Sequence, residues 1–115
     1  MESGSGTSDS GAPLLGVDAA LRKSGLAIIQ PGTHSTVRAC WYEVLRNPQK
    51  RARSACLYAL SVRLEELLQS YRPEAIALEG GFYARNARTA LSLGEVRGTV
   101  ITTVTRYGIP LFEYA

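Results

Sequence analysis

Asp18 and Glu79 are the residues whose type and setting best suit them for chemistry, because each closes a short apolar run, Leu14 to Val17 and Ala75 to Leu78. Runs of that length read as strands, and in an open α/β sheet ligands bind beyond the carboxyl ends of the strands. Two carboxylates brought to one such edge repel each other unless a cation lies between them. Magnesium suits the pair, since it takes oxygen ligands and keeps water and phosphate oxygens in its shell. After Glu79 the chain breaks at Gly80 and Gly81, carries Phe82 and Tyr83, and then sets Arg85, Asn86 and Arg88 at the head of a long helical pattern. An aromatic so close to the acid could stack on an unpaired base, worth about 1 to 3 kcal/mol per base. Arg85, Arg88 and the later Arg97 could meet phosphates. The bland alternatives are core aromatics under the helix entry and a solvated basic face. A substrate with a flat face and a negative charge fits the sharper reading, and nucleic acid has both.

The acids can meet only if the elements between them bring the chain back on itself. Asp18 is followed by a turn, Ala19 to Gly25, then by a strand from Leu26 to Gln30, a reversal at Pro31-Gly32, and a strand from about Thr36 to Leu45, which together make an antiparallel meander. Asn47-Pro48 closes it, with Arg46, Lys50, Arg51 and Arg53 marking the loop into a helix that runs to Tyr71. Cys56, Leu60, Leu64, Leu67, Leu68 and Tyr71 recur there at the three-and-four spacing of an amphipathic helix, and Arg72-Pro73 stops it. A helix between the third and fourth strands implies a crossover, so Ala75 to Glu79 should lie parallel to the first strand with Glu79 and Asp18 at one edge. Asn86 can cap a second helix reaching about Tyr107, with Ala90, Leu93, Val96, Val100, Val104 and Tyr107 on its apolar side. Ala90, Gly94 and Gly98 form a small-residue stripe. Interior glycines cost about 1 kcal/mol each relative to alanine, which predicts close approach by the sheet or a partner helix. Gly108 ends the helix, and Ile109 to Tyr114 enters a fifth strand.

The 115 residues allow one domain, 13–115, behind a Ser- and Gly-rich tail at 1–12 expected to be disordered. The formal net charge is +3, and the tail holds Glu2 and Asp9, so the folded part is the more basic part and favours an anionic partner. Cys40 and Cys56 form no CxxC pair, and the single histidine, His34, lies in a turn sequence, so neither a zinc site nor a disulfide framework is supported. Two core-filling thiols are expected instead. No signal-peptide core or membrane-length apolar run is present, and a cytoplasmic protein is the default.

Three blocks resemble the RuvC-type Holliday-junction resolvases: Leu15-Gly16-Val17-Asp18 with Gly25; Ala77-Leu78-Glu79 continuing through Phe82, Ala84, Asn86, Ala90-Leu91, Leu93-Gly94 and Arg97-Gly98; and Pro110-Leu111-Phe112-Glu113-Tyr114-Ala115. The resemblance implies an α/β, ribonuclease H-like mixed five-stranded sheet with flanking helices. It further implies a homodimer, a branch-migration motor complex as partner, and magnesium-dependent cutting of four-way junction DNA in recombination and repair. Carried over, Asp18 and Glu79 become metal-binding catalytic carboxylates and Phe82 the aromatic that inserts at the branch point, with Tyr83, Arg85, Asn86 and Arg88 along the nucleic-acid surface. The implied chemistry is in-line attack of an activated water on the scissile phosphate, leaving 5′-phosphate and 3′-hydroxyl ends, with two Mg²⁺ ions about 3.5 to 4 Å apart stabilising attacking and leaving oxygens.

Two departures from the family pattern bear on this. Ala19-Ala20 stands where the family has Pro-Gly, so the loop after Asp18 cannot use glycine's freedom. The family's remaining metal-binding acids lie on a helix beyond the fifth strand, and this sequence stops before it, so little or no cleavage is expected of the chain as given. Glu113 is no obvious substitute, because the family has an acid in that strand beside its catalytic set. The rival readings are a non-catalytic module that binds branched DNA, a ribosomal-RNA-processing nuclease on the same fold, which the Glu79 to Asn86 block fits poorly, and, least of all, an actin-like phosphotransferase.

Overall fold

A computed structural model describes residues 11–32, 37–79 and 86–114. Strands β1 (Leu14–Asp18), β2 (Lys23–Pro31) and β3 (Val37–Arg46) form the antiparallel meander, followed by helix α1 (Arg53–Tyr71), strand β4 (Ala75–Glu79), helix α2 (Ala87–Arg106) and strand β5 (Leu111–Tyr114). The sheet order is β3-β2-β1-β4-β5, with β4 parallel to β1 and β5 parallel to β4. The crossover through α1 therefore lands where the apolar run before Glu79 requires.

Alternation decides which side of the sheet each residue serves. Leu15 and Val17 of β1, Leu26 and Ile28 of β2, and Ile76 and Leu78 of β4 are buried and share one core with Leu60, Leu64, Leu67 and Leu68 of α1 and Val96, Val100 and Val104 of α2. Each such side chain contributes about 1.5 to 3 kcal/mol relative to exposure. Both helices thus lie on one side of the sheet. They are tied to each other by Arg53 to Glu95 at 2.8 Å, Arg106 to Glu65 at 2.6 Å, and the Ser61 and Thr103 hydroxyls at 2.9 Å. Arg63 of α1 holds Glu43 of β3 and Glu66, each at 2.8 Å, and lies 5.5 Å from the Trp41 ring centroid. The Glu43 hydrogen bond, then that of Glu66, raises its pKa above the ordinary arginine value.

Several details depart from the sequence reading. Strand β2 begins at Lys23 and β5 only at Leu111. Tyr71 and Ala90 are exposed, so the buried faces of α1 and α2 end short of them. Gly94 and Gly98 meet nothing within 4 Å, so the small-residue stripe faces away from the sheet. Cys56 is buried, whereas Cys40 is exposed on the outer strand and fills no core. Arg97 is not a free phosphate contact: it is partly buried and bound to Glu113. His34 and most of the tail lie outside the described residues. No described helix is long and apolar enough to cross a membrane.

Candidate active site at the carboxylate edge

The helix-free face of the sheet carries the acids. In the parallel ladder Leu14 pairs with Ala75 and Val17 with Leu78, so the next residues along, Asp18 and Glu79, sit at one edge and on one face. Both are exposed and line one open cleft of about 290 Å³. The cleft floor is made of small residues, Gly16, Gly25 and Ala27, and its far walls are Tyr42 of β3 and Tyr114 of β5. Among the described residues neither acid has an ion-pair partner, and no group of three or more His, Cys, Asp or Glu side chains gathers anywhere.

Glycine is not needed in the turn that follows Asp18. The Ser24 hydroxyl donates to the Ala20 carbonyl at 3.0 Å and accepts from the Ala20 N–H at 3.2 Å, which closes the turn from inside. Asn47, buried, donates from Nδ2 to the Leu21 carbonyl at 3.1 Å and from its backbone N–H to the Arg22 carbonyl at 2.9 Å. The Arg22 guanidinium donates in turn to the Pro48 and Arg51 carbonyls at 2.8 and 2.9 Å. No residue here has positive φ, so Ala19-Ala20 is accommodated without strain.

Asn86 caps α2 as its position suggests, accepting from the Thr89 N–H at 2.9 Å. Asn86 and Arg88 are both exposed in this first turn. Phe82, Tyr83 and Arg85, named from the sequence as nucleic-acid contacts, lie outside the described residues. Glu113 is set apart from Asp18 and Glu79: it pairs in register with Leu78, a core residue, and so faces the helices. Sequence reasoning missed Tyr42. The available signal was its place beside Trp41, which packs against the core, so that alternation throws the tyrosine to the opposite face.

A family model described as crossover junction endodeoxyribonuclease RuvC matches residues 14–115. The chain belongs to the RuvC family. Crossover junction endodeoxyribonuclease RuvC of Chlorobaculum parvum is 39% identical over 103 residues, which are 89% of this chain and 54% of that protein. Among solved structures, Thermus thermophilus RuvC in complex with Holliday junction substrate has a TM-score of 0.81 at 23% identity, covering 90% of this chain and 64% of that one. The yeast mitochondrial Holliday junction resolvase has a TM-score of 0.64 at 14% identity, covering 89% of this chain and 49% of that one. The sheet order and helix placement are thus those of the RuvC fold, a ribonuclease H-like arrangement. The chain spans about half the length of the curated relatives it matches.

Proposed function

We propose that this chain forms the carboxylate-bearing part of a structure-selective endodeoxyribonuclease acting on four-way junction DNA in recombination and repair. The observation that carries the reading is the placing of Asp18 and Glu79 on one face and one edge by the parallel β1·β4 register. Their oxygens suit a divalent cation, magnesium being the natural choice, since it is content with one or two carboxylates when water and phosphate oxygens complete its shell. Two acids fit one ion well; a second ion would need donors beyond these two. When bound, the cation would supply charge stabilisation at the phosphate and acidify a water.

The chain's own residues would do the rest. Asp18 and Glu79 hold negative charge at a fixed edge, the small residues beneath them let a sugar-phosphate backbone come close, and exposed Arg88 and Asn86 offer donors to phosphate oxygens alongside. Phe82, Tyr83 and Arg85 are proposed to extend that surface. A second copy of the chain is proposed as partner, seated on the outward stripe of α2, where Leu91, Gly94, Gly98 and Ile101 are exposed. A cytoplasmic location and service to a branch-migration motor follow from the same reading.

The second reading, a module that binds branched DNA without cutting it, is supported by the described cleft being lined by two acids, Asp18 and Glu79, when a second ion would need further donors. Anisotropy titration of a labelled four-way junction, with and without Mg²⁺, tests the proposal. Junction should bind more tightly than duplex, the affinity should fall steeply with salt, and Mg²⁺ should tighten binding in the wild type but not in Asp18→Asn or Glu79→Gln. A response to Mg²⁺ unchanged in both variants would remove the cation site and leave the binding module.

A further inference from the structure

Tyr42 is two-thirds exposed, yet its ring does not stand straight out from the sheet. Its cross-strand partner is Ala27, in the row that continues through Gly16. Its hydroxyl, however, lies 3.3 Å from where a Cβ on Gly25 would be, with Cε1 and Cζ at 3.8 and 3.9 Å. Gly25 belongs to the next row toward the edge, and its partner in that row is Asp18. The phenol therefore leans along the sheet toward the carboxylates and ends level with Asp18, one strand away across a bare glycine. The hydroxyl thus stands over β2 on the cleft face, one strand from Asp18, and both side chains line the same open cleft. Gly25 has no positive φ, so its role is the absence of a side chain under the ring. The Tyr42 hydroxyl has no hydrogen-bond partner among the described residues.

We infer that Tyr42 is a substrate-contacting residue of this site, donating a hydrogen bond from its hydroxyl to a phosphate oxygen of the nucleic-acid strand held at Asp18 and Glu79. The chemistry of the position selects this ligand. A neutral donor beside two acids can grip an anionic oxygen without competing with a cation for the carboxylates, as an arginine or lysine there would. The exposed ring offers a deoxyribose an apolar surface while the hydroxyl reaches the phosphate. Gly25 is a positioning residue, since a Cβ there would press on the hydroxyl at 3.3 Å and shift it by a few tenths of an ångström. This inference rests on the junction-nuclease reading, and it adds a contact from β3, an element where the sequence placed none of its nucleic-acid residues.

The test uses the 115-residue chain, a dye-labelled four-way junction and fluorescence anisotropy in Ca²⁺, with thermal melting of each variant as control. Tyr42→Phe, which keeps the ring, should bind about 10-fold more weakly, the scale of a hydrogen bond to a charged group. Tyr42→Ala should bind at least as weakly. Gly25→Ala should weaken binding in the wild-type background and have little further effect in Tyr42→Ala, because the displaced group is already gone. Tyr42→Phe binding within twofold of wild type, with melting unchanged, would overturn the phosphate contact while leaving the nuclease reading intact. A Gly25→Ala effect that persists undiminished in Tyr42→Ala would overturn the seat. A wild-type chain that does not distinguish junction from duplex would bring down both the contact and the reading it rests on.

Discussion

Arg97 Nη2 donates to Glu113 Oε2 at 2.8 Å, and this bond joins α2 to β5 on the helix side of the sheet. It separates the acids by role, because Glu113 already has a cation and faces away from the cleft. Glu113→Gln should therefore leave Mg²⁺ affinity unchanged and cost about 1 kcal/mol of stability, the pair being only partly shielded from solvent. Urea denaturation beside a calorimetric Mg²⁺ titration measures both. Lost affinity with unchanged stability would move Glu113 into the metal site.

The loop after Asp18 depends on Asn47 more than on the residues inside it. Asn47→Ala removes the bond to the Leu21 carbonyl and the acceptor that Arg51 reaches at 2.7 Å, leaving buried polar groups unmatched. A loss of about 1 to 3 kcal/mol is expected in urea denaturation. Asn47→Asp keeps the acceptor for Arg51 and should lose less. Equal losses would show that the Leu21 bond alone matters.

Helix α1 ends on a residue that glycine would suit better. Arg72 has φ 48° and caps the helix by donating its backbone N–H to the Leu68 carbonyl. A left-handed conformation costs a side-chain-bearing residue about 1 to 2 kcal/mol, part of which glycine's greater unfolded-state freedom offsets. Arg72→Gly should stabilise the chain by about 0.5 to 1 kcal/mol, read as a rise of several degrees in Tm. A fall would mean that the arginine side chain makes a compensating contact.

The outward glycines of α2 allow the proposed self-association to be tested apart from folding. A Cβ on Gly98 would meet nothing within 4 Å, so Gly98→Leu should stabilise the isolated chain by about 1 kcal/mol through helix propensity. The same side chain should block close approach of a second α2. Urea denaturation is expected to show a more stable protein, and sedimentation velocity weaker self-association. An undiminished dimer would place the interface elsewhere.

Much of the architecture was legible because its signals are local or topological. The apolar runs of β1 and β4, the three-and-four spacing of α1, the Asn86 cap and the parallel pairing implied by the crossover all survive. What escaped depends on which neighbour a side chain meets. Arg97 reads as one more surface base until β5 supplies Glu113 on the same side. Cys40 reads as core until β3 proves to be the outermost strand. Tyr42 reads as an ordinary strand aromatic until the register sets a glycine beside it. Spacing along one element cannot reveal the partner across another.

The crossover that sets Asp18 beside Glu79 also fixes when their edge can exist. Strands β1, β2 and β3 are joined by short connections and can pair among themselves locally, whereas β4 pairs with β1 across β2, β3 and the whole of α1. Contacts distant in sequence close late, since the entropy of the intervening loop must be overcome first. During synthesis, then, a nascent chain carries Asp18 without its mate until Glu79 has followed, and the cation site proposed at that edge can assemble only once β4 has docked.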